Sequence, residues 1–235
     1  MEVLFYIMLY CIFYNNLQKV IIVCLKRDII SIRLLKERSS CILLAGTHKV
    51  IAKNIIKSLD VNTKYLINDK NFIRGNLKPD NFSSYKFKKH YKDESFNMIV
   101  SKIHFLSSLS EQEIVNEYGR NKFNQELGVV CLFVSDYFCL AHEERWEFKR
   151  KFKTHVHYEM VLGRISKEYK YDSSCRNDNL DLCYVANFIN SNLNEYVKLK
   201  GFESDIIFAQ YVCNSIVQAV LKSVAKNTLE KLMII

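Results

Sequence analysis

The side chains that could do chemistry in this chain are a few carboxylates and six histidines. Asp136 lies within Leu127–Leu140, a run that is otherwise almost continuously apolar, and His142 follows shortly after it. A carboxylate buried without a partner is costly, so a metal or another cation has to compensate Asp136. His155 and Glu159 are spaced i, i+4, neighbours on one helical face, where a single metal can take both. Imidazole and carboxylate are the ligand types that hold a catalytic zinc. Plainer readings compete. Glu159 taken alone is better explained by a lysine partner. His48 falls on the apolar face of its helix, the usual place of a hydrogen-bonded core histidine. Asp80 follows the single proline, Pro79, and reads as a turn residue. His90 sits in the basic stretch Lys86–Lys92 and reads as a surface residue, and His104 and His157 have no partner at useful spacing.

The elements that must position these residues are helical. The chain has 235 residues, 49% of them hydrophobic, enough for a sizeable core and against global disorder. One proline and six glycines are few breakers, which favours an all-α protein. His48, Ile51, Ala52, Ile55, Ile56 and Leu59 share one helical face, and Phe96, Ile99, Val100 and Ile103 repeat at helical spacing. Ser110 followed by Glu113 fits a capping box. Leu127–Leu140 predicts a buried central helix with Asp136 and His142 near its end. His155–Leu162 reads as helical, Leu182–Leu199 and Asp205–Leu232 as two closing helices, and Asn71–Ser84 and Lys167–Asn179 as loops. The eight cysteines form no Cys-x-x-Cys pair. Several lie in apolar helical patterns, where a free thiol packs as a small hydrophobe, so a reducing compartment is expected.

Residues 1–46 differ from the rest. Their apolar run is a marginal membrane span and a poor secretory signal, since Glu2 and no basic residue precede it. A weak anchor, an extension packed on the domain and a start assigned too far upstream all fit. The expected organisation is this extension followed by one helical domain over 47–235, in a cytoplasmic protein that the apolar segment could bring to a membrane. The net charge of +9 suits an anionic partner, although solubility explains it equally well.

Taken in order, His48, Gly75-Asn76-Leu77-Lys78-Pro79-Asp80, His90-Tyr91, Leu127-Gly128 through Asp136 to His142, and His155-x-x-x-Glu159 resemble the zinc-dependent phospholipase C family, most closely its small bacterial members. The resemblance covers about residues 47 to 220. It implies an all-helical fold, shared with single-strand nucleases, that binds up to three zinc ions in a cleft. It implies Asp80, His90 and Asp136 as ligands of a first zinc and His142, His155 and Glu159 as ligands of a second. His48 matches a third-zinc ligand, with Asp136 bridging. Asp80 also matches the carboxylate proposed as general base.

Two departures bear on activity. The family pattern has a histidine four residues before the bridging aspartate, where this chain has Leu132. Secreted members complete the third site with an N-terminal tryptophan, but the single tryptophan here is Trp146. One or two zinc ions are therefore expected rather than three, with His142, His155 and Glu159 forming a three-ligand site of the catalytic type. The expected reaction is phosphodiester hydrolysis of a phospholipid to diacylglycerol and a phosphorylated headgroup. One alternative is a single-strand nuclease, with Tyr85, Phe87 and Tyr91 stacking bases. Another is a catalytically degenerate member with a binding or structural role, marked by Leu132. A generic helical membrane protein anchored by residues 3–25 leaves Asp136 and the His155/Glu159 pair unexplained.

Overall fold

Apolar periodicity becomes helix along most of the chain. The computed structural model describes residues 46–77, 91–146, 152–172 and 175–233. These residues fall within one compact unit, Leu43–Ile235, and contain no strand. Helix α1, over residues 46–58, buries Ile51, Ala52, Ile55 and Ile56 on the face that its spacing marks out. After it come α2 (Val61–Lys64), α3 (Asp69–Gly75) and α4 (Lys92–Ser108), which buries Ile99, Ile103 and Leu106. Ser110 and Glu113 form the expected capping box at the start of α5 (Glu111–Glu113), which runs into a π-helical turn at Ile114–Tyr118. Helix α6 (Arg120–Tyr137) is the hub, with every residue from Glu126 to Tyr137 buried. Then follow α7 (Leu140–Glu143), α8 (Phe152–Glu168), a 3₁₀ turn at Leu182–Tyr184, α9 (Val185–Leu199) and α10 (Phe202–Met233).

Helices α4, α6 and α10 pack together around the main apolar core. By length and composition α10 could cross a membrane, yet 72% of its apolar stretch is buried inside the fold, as suits a core helix. The possible anchor at residues 3–25 lies outside the described residues.

Two expectations from the sequence need correction. Residues 71–75 are helical, although Asn71–Ser84 reads as a loop. Their helix carries little apolar periodicity and is stabilised from outside. Asn68 caps it by accepting from the Asn71 backbone N–H at 3.1 Å. Asn71 donates to Asn121 and accepts from Gln125, each at 2.8 Å, so amide side chains stitch α3 to α6. A methyl on Gly75 would land on the Gln125 carbonyl and one on Gly128 on the Phe72 carbonyl, so the two helices meet backbone to backbone.

The central helix also ends earlier than its apolar run. The carbonyls of Ser135 and Asp136 accept from Phe138 and Cys139, each at 3.1 Å, and Cys139 is extended (φ −112°, ψ 120°). His142 therefore sits on a separate short helix, turned relative to Asp136.

Candidate metal centre

Four helices bring the candidate ligands together. The last turn of α6 supplies Asp136, 2% exposed, α1 supplies His48, α7 supplies His142, and α8 supplies His155 and Glu159. Glu159 Oε1 lies 2.9 Å from His155 Nε2 and 3.1 Å from His142 Nε2. Asp136 Oδ1 lies 3.3 Å from His48 Nε2 and 3.7 Å from His142 Nε2. The rings of His142 and His155 are perpendicular, their centroids 4.9 Å apart. Nitrogen and oxygen ligands about 2.0–2.2 Å from one tetrahedral zinc lie roughly 3.3–3.6 Å from each other. The separations from Glu159 Oε1 and from Asp136 Oδ1, 2.9 to 3.7 Å, bracket that spacing.

Protonation supports the same use. The Ser135 hydroxyl donates to the Leu132 carbonyl at 2.8 Å and lies 2.9 Å from His48 Nδ1. Having spent its one proton on a carbonyl, Ser135 can only accept from Nδ1–H. Nδ1 is then protonated, and Nε2 is the nitrogen that faces Asp136. A ligating histidine is held in this way, with its second N–H given to a neighbouring acceptor. Burial pushes the Glu159 carboxyl up, but hydrogen bonds from His142 and His155 outweigh this and leave it below its usual range. Its Oε2 is buried with no hydrogen-bond partner among the described residues. A buried carboxylate oxygen in that state suits a cation.

Beside the centre lie two spaces. A void of about 30 Å³, the size of a single water or ion, is lined by His48, Asp136, Cys139, Glu159 and Asp205 among others. A larger cavity of about 310 Å³ takes in Asp136 and His142 and, on its wall, Tyr91, Lys92 and Arg145. Together the donor set, the ligand spacing and the unpartnered Oε2 fit a zinc-type ion.

A family model described as zinc dependent phospholipase C matches residues 47–203, well over half of the chain. This chain belongs to the zinc-dependent phospholipase C family. Comparison with curated proteins and with solved structures gives no match. The all-α architecture is that of the phospholipase C family, and the zinc dependence of the family agrees with the donor set described above.

Of the seven ligand positions inferred from the phospholipase C resemblance, the structure brings His48, Asp136, His142, His155 and Glu159 together. Asp80 and His90 lie outside the described residues, as do Tyr85 and Phe87. Tyr91 is 5% exposed, with the Arg145 guanidinium 4.8 Å from its ring centroid, so it offers no open stacking face. Leu132 is fully buried in the main apolar core. His104 and His157 are exposed, in keeping with the absence of spaced partners.

Three contributors were not legible as site residues. Ser135 orients His48. Cys139 reads as a packing thiol, yet its sulfur lies within 4.8 Å of ligand atoms of both His142 and Glu159. Burial and the neighbouring carboxylates of Asp205, Glu159 and Asp136 push its thiol well up. Asp205, from α10, accepts from Tyr196 at 2.7 Å, Tyr158 at 2.9 Å and the Leu140 backbone N–H at 3.2 Å. Its signal is an acid, two residues after Glu203, in the first turn of a long apolar helix.

Proposed function

We propose that this phospholipase C-like protein hydrolyses phospholipids to diacylglycerol and a phosphorylated headgroup. Water oxygen bonds to phosphorus, the bond from phosphorus to the glycerol oxygen breaks, and that oxygen leaves as an alcohol after taking a proton. The observation behind the reading is the convergence of His142, His155 and Glu159 beside Asp136 and His48, with Asp136 and His142 on the wall of the 310 Å³ cavity. When bound, zinc supplies electrophilic stabilisation of phosphate oxygens and a more acidic water. In this proposal Lys92 on the cavity wall draws in the anionic phosphate, beside Arg145, which pairs with Asp93 at 2.7 Å. The centre's histidines and carboxylates fix the reacting groups, and Asp80 orients or deprotonates the attacking water.

The test is parallel assay of zinc-loaded protein on phosphatidylcholine vesicles and on single-stranded DNA and RNA. Diacylglycerol release with no nuclease activity is expected. Nucleotide release without diacylglycerol overturns the phospholipase reading in favour of a nuclease on the same fold.

A second reading is favoured by Leu132, whose side chain packs in the apolar core where the family pattern has a ligand. It is a member that keeps the fold and one metal but has lost turnover. No activity on either substrate at full zinc occupancy supports it. If Leu132→His then gains neither metal nor activity, loss of this one ligand is not the cause.

A further inference from the structure

We infer that Cys139 is a fourth ligand of the metal held by His142, His155 and Glu159. The inference rests on the metal-centre reading above and is independent of the substrate. On binding, the S–H bond breaks, the proton passes to solvent, and the sulfur lone pair bonds to the metal with no change in oxidation state.

Geometry carries the assignment. One ligand atom each from Cys139, His142 and Glu159 lies within 4.8 Å of the others, and His155, outside that trio, joins it through Glu159 Oε1 at 2.9 Å. In a tetrahedral zinc site with sulfur at about 2.3 Å these separations would be roughly 3.5 Å, so binding would draw the three side chains together by up to about 1.3 Å. Cys139 also faces the 30 Å³ void together with His48, Asp136 and Glu159. Glu159 Oε2, buried and without a hydrogen-bond partner among the described residues, is the independent sign that a positive group belongs here.

Cys139 is held in place for this role. The N–H of Leu140, the next residue, donates to Asp205, whose carboxylate is also gripped by Tyr158 and Tyr196. The other described cysteines differ. Cys131 and Cys213 are packed in the main apolar core, where the Cys213 thiol donates to the Cys131 carbonyl at 3.4 Å, and Cys175 and Cys183 are exposed. Among the described cysteines, Cys139 alone shares a ligand-sized space with histidine and carboxylate donors.

A thiolate turns a three-ligand site into a four-ligand one, whose metal is held without help from Asp80 or His90. It also biases the site toward zinc, cobalt and cadmium and away from magnesium, calcium and manganese.

The test is a cobalt(II) titration of the full chain after removal of metal with chelator. Wild type should develop both visible ligand-field bands and a near-ultraviolet thiolate-to-cobalt charge-transfer band. Cys139→Ser should lose the charge-transfer band, keep cobalt binding, and bind cadmium at least about tenfold more weakly. Cobalt bound without that band, or a band that survives Cys139→Ser, overturns the inference while leaving the metal centre intact. No cobalt bound by folded wild type overturns both. Should Cys139→Ser not fold, zinc-edge X-ray absorption decides on a chain with Cys11, Cys24, Cys41, Cys175 and Cys183 changed to serine. A sulfur neighbour at about 2.3 Å supports the assignment, and a shell of nitrogen and oxygen alone overturns it.

Discussion

The two ends of helix α6 handle buried charge in opposite ways. In its N-terminal half, Glu126 is buried and forms an ion pair with Lys102 of α4. Around it, Gly128 and the amides of Asn121, Asn124 and Gln125 lock α6 to α3 and to the turn before it. That half is self-contained, its polar groups answered by the protein itself. At the C-terminal end, Asp136 faces the imidazoles of His48 and His142, and one oxygen of nearby Glu159 finds no hydrogen-bond partner among the described residues. A lysine completes the first arrangement, whereas imidazoles and carboxylates among the described residues leave the second suited to a metal. The lesson is that a buried acid marks a site only through the partners that tertiary packing gives it.

The sharpest way to separate the two ends is to remove ligands. His155→Ala combined with Glu159→Ala should abolish zinc binding at the α8 side, read by elemental analysis of protein purified without chelator. Undiminished zinc in the variant would mean that the C-terminal end of α6 is not where the metal sits.

Next in size is the effect of Asp205. Burial raises its carboxyl from 3.8 to about 6, against hydrogen bonds from Tyr196, Leu140 and Tyr158 that act to lower it. The folded protein therefore holds this proton more tightly than the unfolded chain. The stabilisation is fully present below about pH 4 and is lost as pH rises through about 6, a loss of about 3 kcal/mol. Denaturant unfolding of metal-free wild type and Asp205→Asn should show their stability difference moving by that order across this window. A difference that stays flat with pH refutes the raised carboxyl.

A smaller, purely structural effect belongs to the other end. In Gly128→Ala the new methyl collides with the Phe72 carbonyl, which outweighs the roughly 1 kcal/mol gain in helix propensity. Net destabilisation of about 2 kcal/mol is expected by thermal or denaturant unfolding, with zinc stoichiometry unchanged in the folded fraction. Loss of zinc at full folding would show that the two ends are coupled.

The smallest effect tunes the centre. Ser135→Ala removes the acceptor for His48 Nδ1–H and should weaken metal binding on the His48 side by about tenfold in competition titrations, with little change in stability. Unchanged affinity would mean that the imidazole needs no such orientation.

Much of this molecule is legible in local residue spacing. The faces of α1 and α4, the Ser110–Glu113 capping box, the buried run of α6, and the spacing of His155 and Glu159 all follow from local rules. A helical face, a cap and an i, i+4 pair are decided by residues within a turn or two of each other. Helix α3 was not legible. It depends on Asn71 meeting Asn121 and Gln125, and on Gly75 and Gly128 letting two backbones touch. Tyr91 illustrates the same limit, since the ring that looked available for stacking is covered by Arg145.

By itself, then, the sequence determined an all-helical chain, its central helix and the residue types of a zinc-dependent phospholipase C centre, because helix periodicity and ligand chemistry are written in short spacings. Only the tertiary structure decided that α6 breaks before His142, that Ser135 sets the tautomer of His48, and that Cys139 and Asp205 stand at the same void as Glu159. Those facts depend on where α1, α7, α8 and α10 meet, and contacts between residues distant along the chain arise only when the core packs.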